Sequence, residues 1–205
     1  MQKPYVIGIC GGSGSGKTTL VDMALKSFTN EQVSLLTQDD FYIPREEQTT
    51  DKNGVVNFDR LNSIDHNYFQ ESLQKLIEGQ SISIKEYVFN NEEAIAQIKE
   101  ISPAPVLIVE GLFIFQNQEI KNLLDLQVFI DTRDAVKVIR RIQRDQKERN
   151  YPVSDVLYRY EHHVLPSYRK YIEPYKEEAD LIINNNKDIK LGVAVLSNLI
   201  KAALD

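Results

Sequence analysis

The apolar run Tyr5-Val-Ile-Gly-Ile-Cys10 gives way without a spacer to Gly11-Gly-Ser-Gly-Ser-Gly-Lys-Thr18, and an amphipathic stretch begins near Thr19. Few folds accept that order. A strand feeding directly into a helix leaves several backbone N–H groups pointing into one concavity, and phosphate oxygens fill it. Gly11, Gly12, Gly14 and Gly16 let the backbone curl around an anion without Cβ obstruction, with Ser13, Ser15 and Thr19 completing the loop. Lys17 can reach the β- and γ-phosphates, and the Thr18 hydroxyl can ligate Mg²⁺. A glycine-rich linker would not carry Lys-Thr at this fixed offset between a strand pattern and a helix pattern. The loop therefore predicts a nucleoside triphosphate, ATP or GTP, together with Mg²⁺.

The rest of the chain supports a parallel sheet. Val33–Thr37, Val106–Glu110, Leu126–Ile130 and Asp180–Ile183 are further β-rich runs separated by helical or mixed segments, the alternation of an α/β fold with helices on both faces. Val106-Leu-Ile-Val109 is continuously apolar, as a central strand buried on both faces requires. With 205 residues and no repeat or Pro/Gly-rich linker, one domain spanning 1–205 is expected. The insertion 41–105 reads as a substrate lobe: a tight turn at Asn53-Gly54, a helix over Ser63–Gly79, and a strand over Ser81–Phe89 suited to a small β-hairpin. Arg133–Arg149 reads as a helix with a basic face, and 133–152 as a lid. A second helical segment runs from Pro152 towards Pro166, and Ile189–Leu204 forms the last helix.

Charge and cysteine usage narrow the partners. A net charge of −6 argues against non-specific nucleic-acid binding, which favours a basic surface, and so points to small molecules. The single cysteine, Cys10, lies within an apolar run and fits a reducing cytosol. No secretory pattern or membrane-length apolar run is present, so a soluble cytoplasmic protein is expected.

Acidic groups narrow the chemistry. Gln38-Asp-Asp-Phe-Tyr42 begins at the carboxyl end of the second β run, the edge that faces the ligand crevice in open α/β sheets. Asp39 there could accept a proton from an attacking hydroxyl, or Asp39 and Asp40 could cap the following turn. Glu110 closes the run Val106–Val109 beside the phosphate loop, where a carboxylate suits Mg²⁺ held with Thr18. Arg140, Arg141, Arg144 and Arg149 on a mobile flap could neutralise the transferring phosphoryl group, although such charge runs are often just a solvated face. The three histidines show no metal spacing. Asp51-x-x-Gly54 follows no apolar strand and no Asn-Lys-x-Asp occurs, so a GTPase switch is not expected.

Taken together, Gly11–Thr19, Gln38-Asp-Asp-Phe-Tyr42, Asn57-Phe-Asp59, Val109-Glu-Gly-Leu112, Arg140-Arg-Ile-Gln-Arg-Asp145 with Glu148-Arg149, and Ala179-Asp-Leu-Ile-Ile183 resemble the uridine/cytidine kinase family over nearly the whole chain. The resemblance implies a phosphate-loop kinase fold, ATP at Gly11–Thr19, and Mg²⁺ near Thr18, Asp39 and Glu110. It implies Asp39 as base on a sugar 5′-hydroxyl, and Asp59 and Arg141 on the ribose hydroxyls. Tyr42, Phe58, Tyr87 and Phe89 match aromatic positions around the nucleoside, and Arg144 and Arg149 match lid arginines. Family members commonly form tetramers. The departures fall on the base side, where Glu92, Tyr151 and Arg159 replace the family's histidine, arginine and glutamine. A kinase for another small alcohol, such as nicotinamide riboside, pantothenate or a sugar phosphate, stays open beside uridine/cytidine kinase, as does a non-catalytic ATP-binding module.

Overall fold

The computed structural model describes residues 3–89 and 95–205. In chain order the principal elements are β1 (Tyr5–Cys10), α1 (Lys17–Leu25), β2 (Val33–Thr37), α2 (His66–Ile77), β3 (Ile82–Lys85), β4 (Ile98–Ile101), β5 (Val106–Gly111), α3 (Gln118–Lys121), β6 (Leu126–Asp131), α4 (Asp134–Arg149), α5 (Val153–Arg159), α6 (Leu165–Tyr171), β7 (Leu181–Asn184) and α7 (Lys190–Leu204). The five strands β2-β5-β1-β6-β7 form one sheet, and every pairing in it is parallel. β3 and β4 form a separate antiparallel pair within the insertion.

Side-chain alternation along the strands divides the core in two. Ile7 and Ile9 of β1, Val106 and Ile108 of β5, and Val128 and Ile130 of β6 face one side. There they pack with Leu20, Val21 and Ala24 of α1 and with Leu196 and Ile200 of α7. Val6, Leu107, Val109 and Phe129 face the other side, against Phe69, Leu73 and Leu76 of α2 and against Phe113 and Phe115. All six residues of β5 are buried, as its unbroken apolar run demands of a strand covered on both faces.

Element ends follow local chemistry. The helix expected over Ser63–Gly79 begins at His66 because the Asp65 side chain accepts from Tyr68 N at 2.9 Å, and Gly79 leaves it at φ 82°. α4 stops at Asn150, a left-handed residue with φ 52°. The chain does not break at Pro166: a π-turn over Tyr160–Val164 joins α5 to α6, and Pro166 sits in the first turn of α6. Of the expected strand Ser81–Phe89 only Ile82–Lys85 pairs, so Tyr87 and Phe89 lie beyond its end. Among the described residues no helix is long and apolar enough to cross a membrane.

Candidate active site

The phosphate loop spans the junction of β1 and α1. Gly14 and Gly16 adopt φ 80° and 91°, and a Cβ on Gly14 would lie 2.5 Å from the Lys137 carbonyl oxygen of α4. The loop is braced from behind, because Ser15 O accepts from Asn185 Nδ2 at 2.8 Å, Thr132 Oγ1 at 3.1 Å and Arg140 Nη1 at 3.3 Å. Lys17 is buried, 8% exposed. Cys10 lies beneath the loop with its thiol pushed up to about 12, chiefly by burial, and so is unreactive packing.

Glu110 ends β5 next to this loop and is 3% exposed. Its Oε1 accepts from Thr18 Oγ1 at 3.1 Å and from Thr37 Oγ1 at 2.9 Å. Burial raises its pKa, the Lys17 charge opposes that rise, and the charge on Asp39 adds to it. Thr18, Asp39 and Glu110 line one cavity with Lys17. Among the described residues no group of three or more His, Cys, Asp or Glu stands ready to hold a metal. One hydroxyl and two carboxylates suit Mg²⁺, which keeps several waters and takes phosphate oxygens as partners.

The two aspartates of the turn after β2 have separate surroundings. Asp40 is clamped by Lys99 Nζ of β4 at 3.0 and 2.9 Å and receives Tyr87 N at 3.4 Å, which ties the β3–β4 hairpin to the sheet edge. Asp39 faces the cavity, and its charge and that of Asp59 both push up the buried Tyr42 hydroxyl, after the larger effect of burial. Gln38 completes the turn by accepting from Phe113 N at 2.9 Å.

The arginines of α4 surround one buried carboxylate. Asp145, 1% exposed, meets Arg144 at 2.8 Å, Arg141 at 3.2 Å and Arg149 at 3.5 Å. Burial would raise its pKa, but Arg144, Arg141 and Arg149 together hold it below the ordinary carboxylate range. Arg141 also donates to Ser13 Oγ at 2.8 Å and lies 3.7 Å from Asp59. Arg140 turns away to Asn185 O at 3.0 Å. The first half of α4 is docked on the phosphate loop, with Lys137 beside Gly14 and its Nζ 3.3 Å from the centre of the Tyr168 ring.

The opposite wall is aromatic. Tyr42 lies 6.0 Å from Phe58, 5.4 Å from Tyr87 and 5.0 Å from Phe89 between ring centroids, and Arg149 stacks 4.1 Å over Phe89. All four rings, Asp59, Tyr151 and Arg159 border the same cavity of about 760 Å³. Arg159 stacks 4.9 Å over Tyr151, and Glu92 lies outside the described residues. Sequence reasoning missed Asp145, although it stands four residues from both Arg141 and Arg149, a spacing that places all three on one helix face. It also missed a second cavity of about 470 Å³ behind the loop, bordered by Gly16, Thr19, Arg140, Asn185 and Ile189.

A model of the phosphoribulokinase / uridine kinase family matches residues 6–191. The chain belongs to that family. It is 34% identical over 204 residues to a uridine kinase of Clostridium novyi (strain NT), covering 100% of this chain and 98% of that one. Identity to a uridine kinase of Lactococcus lactis subsp. cremoris (strain MG1363) is 32% over 205 residues, the whole of both. Two solved structures share the fold. Phosphoribulokinase from Rhodobacter spheroides superposes with a TM-score of 0.62 at 18% identity, covering 90% of this chain and 71% of that one. D-glycerate 3-kinase from Cryptococcus neoformans superposes with a TM-score of 0.61 at 16% identity, covering 93% and 88%. This member of the family is accordingly a phosphate-loop kinase, a phosphotransferase for a small molecule.

Proposed function

We propose that the chain transfers the γ-phosphoryl group of ATP, with Mg²⁺, to the primary 5′-hydroxyl of a nucleoside, uridine or cytidine first. The observation that carries this reading is that Lys17, Thr18, Asp39, Asp59 and four aromatic rings all line one cavity. Its relatives named uridine kinase along the full chain point the same way.

In this reading the loop N–H groups and Lys17 hold the triphosphate, and the second cavity beside Arg140 takes the donor's nucleoside end. Mg²⁺ would be held by Thr18, Glu110 and Asp39 and would neutralise charge on the phosphate oxygens. Asp59 and Arg141 orient the ribose hydroxyls, and the rings flank the base. Asp39 takes the proton from the 5′-hydroxyl as its oxygen bonds to the γ-phosphorus and the bond to the β–γ bridging oxygen breaks, releasing ADP. Arg144 and Arg149 pair with the negative charge spread over the transferring group.

A second reading, another small alcohol as acceptor, draws on Tyr151 and Arg159 at the base-side wall. Arg159 carries donors only, so it favours an acceptor whose far end presents oxygens. ADP release measured across uridine, cytidine, purine nucleosides, nicotinamide riboside, pantothenate and sugar phosphates separates the two. The first reading expects the pyrimidine nucleosides to give the highest kcat/KM. Turnover confined to acceptors other than uridine and cytidine would replace it with the second.

A further inference from the structure

Asp51, left without chemistry by the sequence, is the hub of a clasp outside the cavity. Its Oδ1 closes its own loop by accepting from Asn53 N at 2.8 Å and Val55 N at 2.9 Å, under an antiparallel bridge from Thr50 to Val56. Its Oδ2 faces the helical stretch that follows α4 and accepts from the Tyr158 hydroxyl at 2.7 Å, with His163 Nε2 at 2.8 Å. Tyr158 in turn accepts from Asn53 Nδ2 at 2.6 Å, and Arg159 Nη1 donates to Val56 O at 2.6 Å. Four hydrogen bonds thus join one loop to one helical face.

The π-turn makes this geometry attainable. Residues five apart on an α-helix point about 140° away from each other, so Tyr158 and His163 could not share a carboxylate on a regular helix. Widening the turn over Tyr160–Val164, closed by Leu165 N on Tyr160 O, brings both to one face. His163 is 2% exposed, and the carboxyl of Asp51 is held well below the usual range, first by the Tyr158 hydroxyl. An ionised carboxylate only accepts, so the His163 ring donates to it from Nε2. Directly after Val56 the chain enters the cavity wall: Asn57 Oδ1 accepts from Asp59 N at 2.9 Å, and Phe58 and Asp59 border the cavity.

We propose that Asp51, Tyr158 and His163 are positioning residues for the acceptor: they clamp the 51–56 loop to the helix so that Phe58 and Asp59 stand at fixed distances from the phosphate loop. The proposal rests on the acceptor end assigned above, and it makes the acceptor wall, not the donor site, depend on the clasp.

The test uses Tyr158→Phe and His163→Leu as breaking variants and His163→Gln, whose side-chain amide can still donate to Asp51, as the conservative rescue. Steady-state kinetics with whichever panel acceptor the wild type phosphorylates should show KM for that acceptor raised about tenfold in the breaking variants, with kcat and KM for ATP within about twofold. His163→Gln should fall within about threefold of wild type in every parameter. Amide exchange, read without turnover, should quicken at 57–59 in the breaking variants. Equal losses in kcat for all substrates with unchanged acceptor KM, or a lowered melting temperature with no split, would overturn the clasp. A wild type that phosphorylates no alcohol would sink the acceptor assignment instead, and unchanged exchange at 57–59 would then overturn the clasp separately.

Discussion

The Thr18 hydroxyl donates to the Glu110 carboxylate at 3.1 Å, joining the start of α1 to the end of β5 beside the glycine loop. A buried carboxylate at that point has a stability signature. Its folded pKa lies above the ordinary value of 4.5, so the folded state holds the proton more tightly than the unfolded chain. The contribution of Glu110 to stability is therefore greatest at low pH and is lost as pH rises through the folded pKa. Glu110→Gln should flatten that loss and melt at or above the wild-type temperature without nucleotide, while gaining less from added Mg·ATP. Differential scanning fluorimetry against pH, with and without Mg·ATP, reads both, and a variant gaining as much as wild type would remove Glu110 from the ion site.

Asp39 borders the cavity while Asp40 is clamped to Lys99. Asp39→Asn should therefore keep ATP binding and lose about 10²- to 10⁴-fold in kcat, the range for a lost general base. Titration with a fluorescent ATP analogue and initial rates measure the two separately, and near-normal turnover would leave Asp39 without that role.

Asp145 compensates three guanidinium groups from inside the protein. Asp145→Ala leaves them facing one another and should cost about 3 kcal/mol in equilibrium urea unfolding at neutral pH. Here the folded pKa is depressed from 3.8, so the stabilisation is present above that value and is lost as pH falls through the folded pKa. The difference between wild type and variant should shrink on acidification, and a constant difference would contradict the pairing.

Gly14 and Gly54 both have positive φ, 80° and 76°, but only Gly14 faces a backbone oxygen, while nothing lies within 4 Å of a Cβ on Gly54. Gly54→Ala should cost only the backbone strain, about 1 kcal/mol. Gly14→Ala must also displace α4 from the loop and should weaken ATP binding by about tenfold or more. Calorimetric titration of both variants decides it, and equal effects would show that the Lys137 contact does not matter.

What the sequence made legible is what local pattern encodes. The glycine loop, the β5 run and the apolar face of α2 are written in consecutive residues, and their bounds moved only by a residue or a few, as Asp65 and Gly79 show for α2. The arginine stripe of α4 was equally visible. Its docking was not, because Lys137 meets Gly14 only once β6 lies beside β1. The distinction between Asp39 and Asp40 rests on Lys99, 59 residues further along the chain, and the Asp51 clasp spans more than a hundred. A π-turn leaves no periodic trace, and Pro166 suggested a stop where the helix instead continues.

Phosphorus NMR of the protein with Mg²⁺, ATP and uridine tests the central claim most directly. A 5′-monophosphate ester signal should grow in step with ADP, absent without uridine and nearly absent in Asp39→Asn. ATP consumed at one slow rate whatever alcohol is added, with inorganic phosphate as the sole new signal, would contradict it.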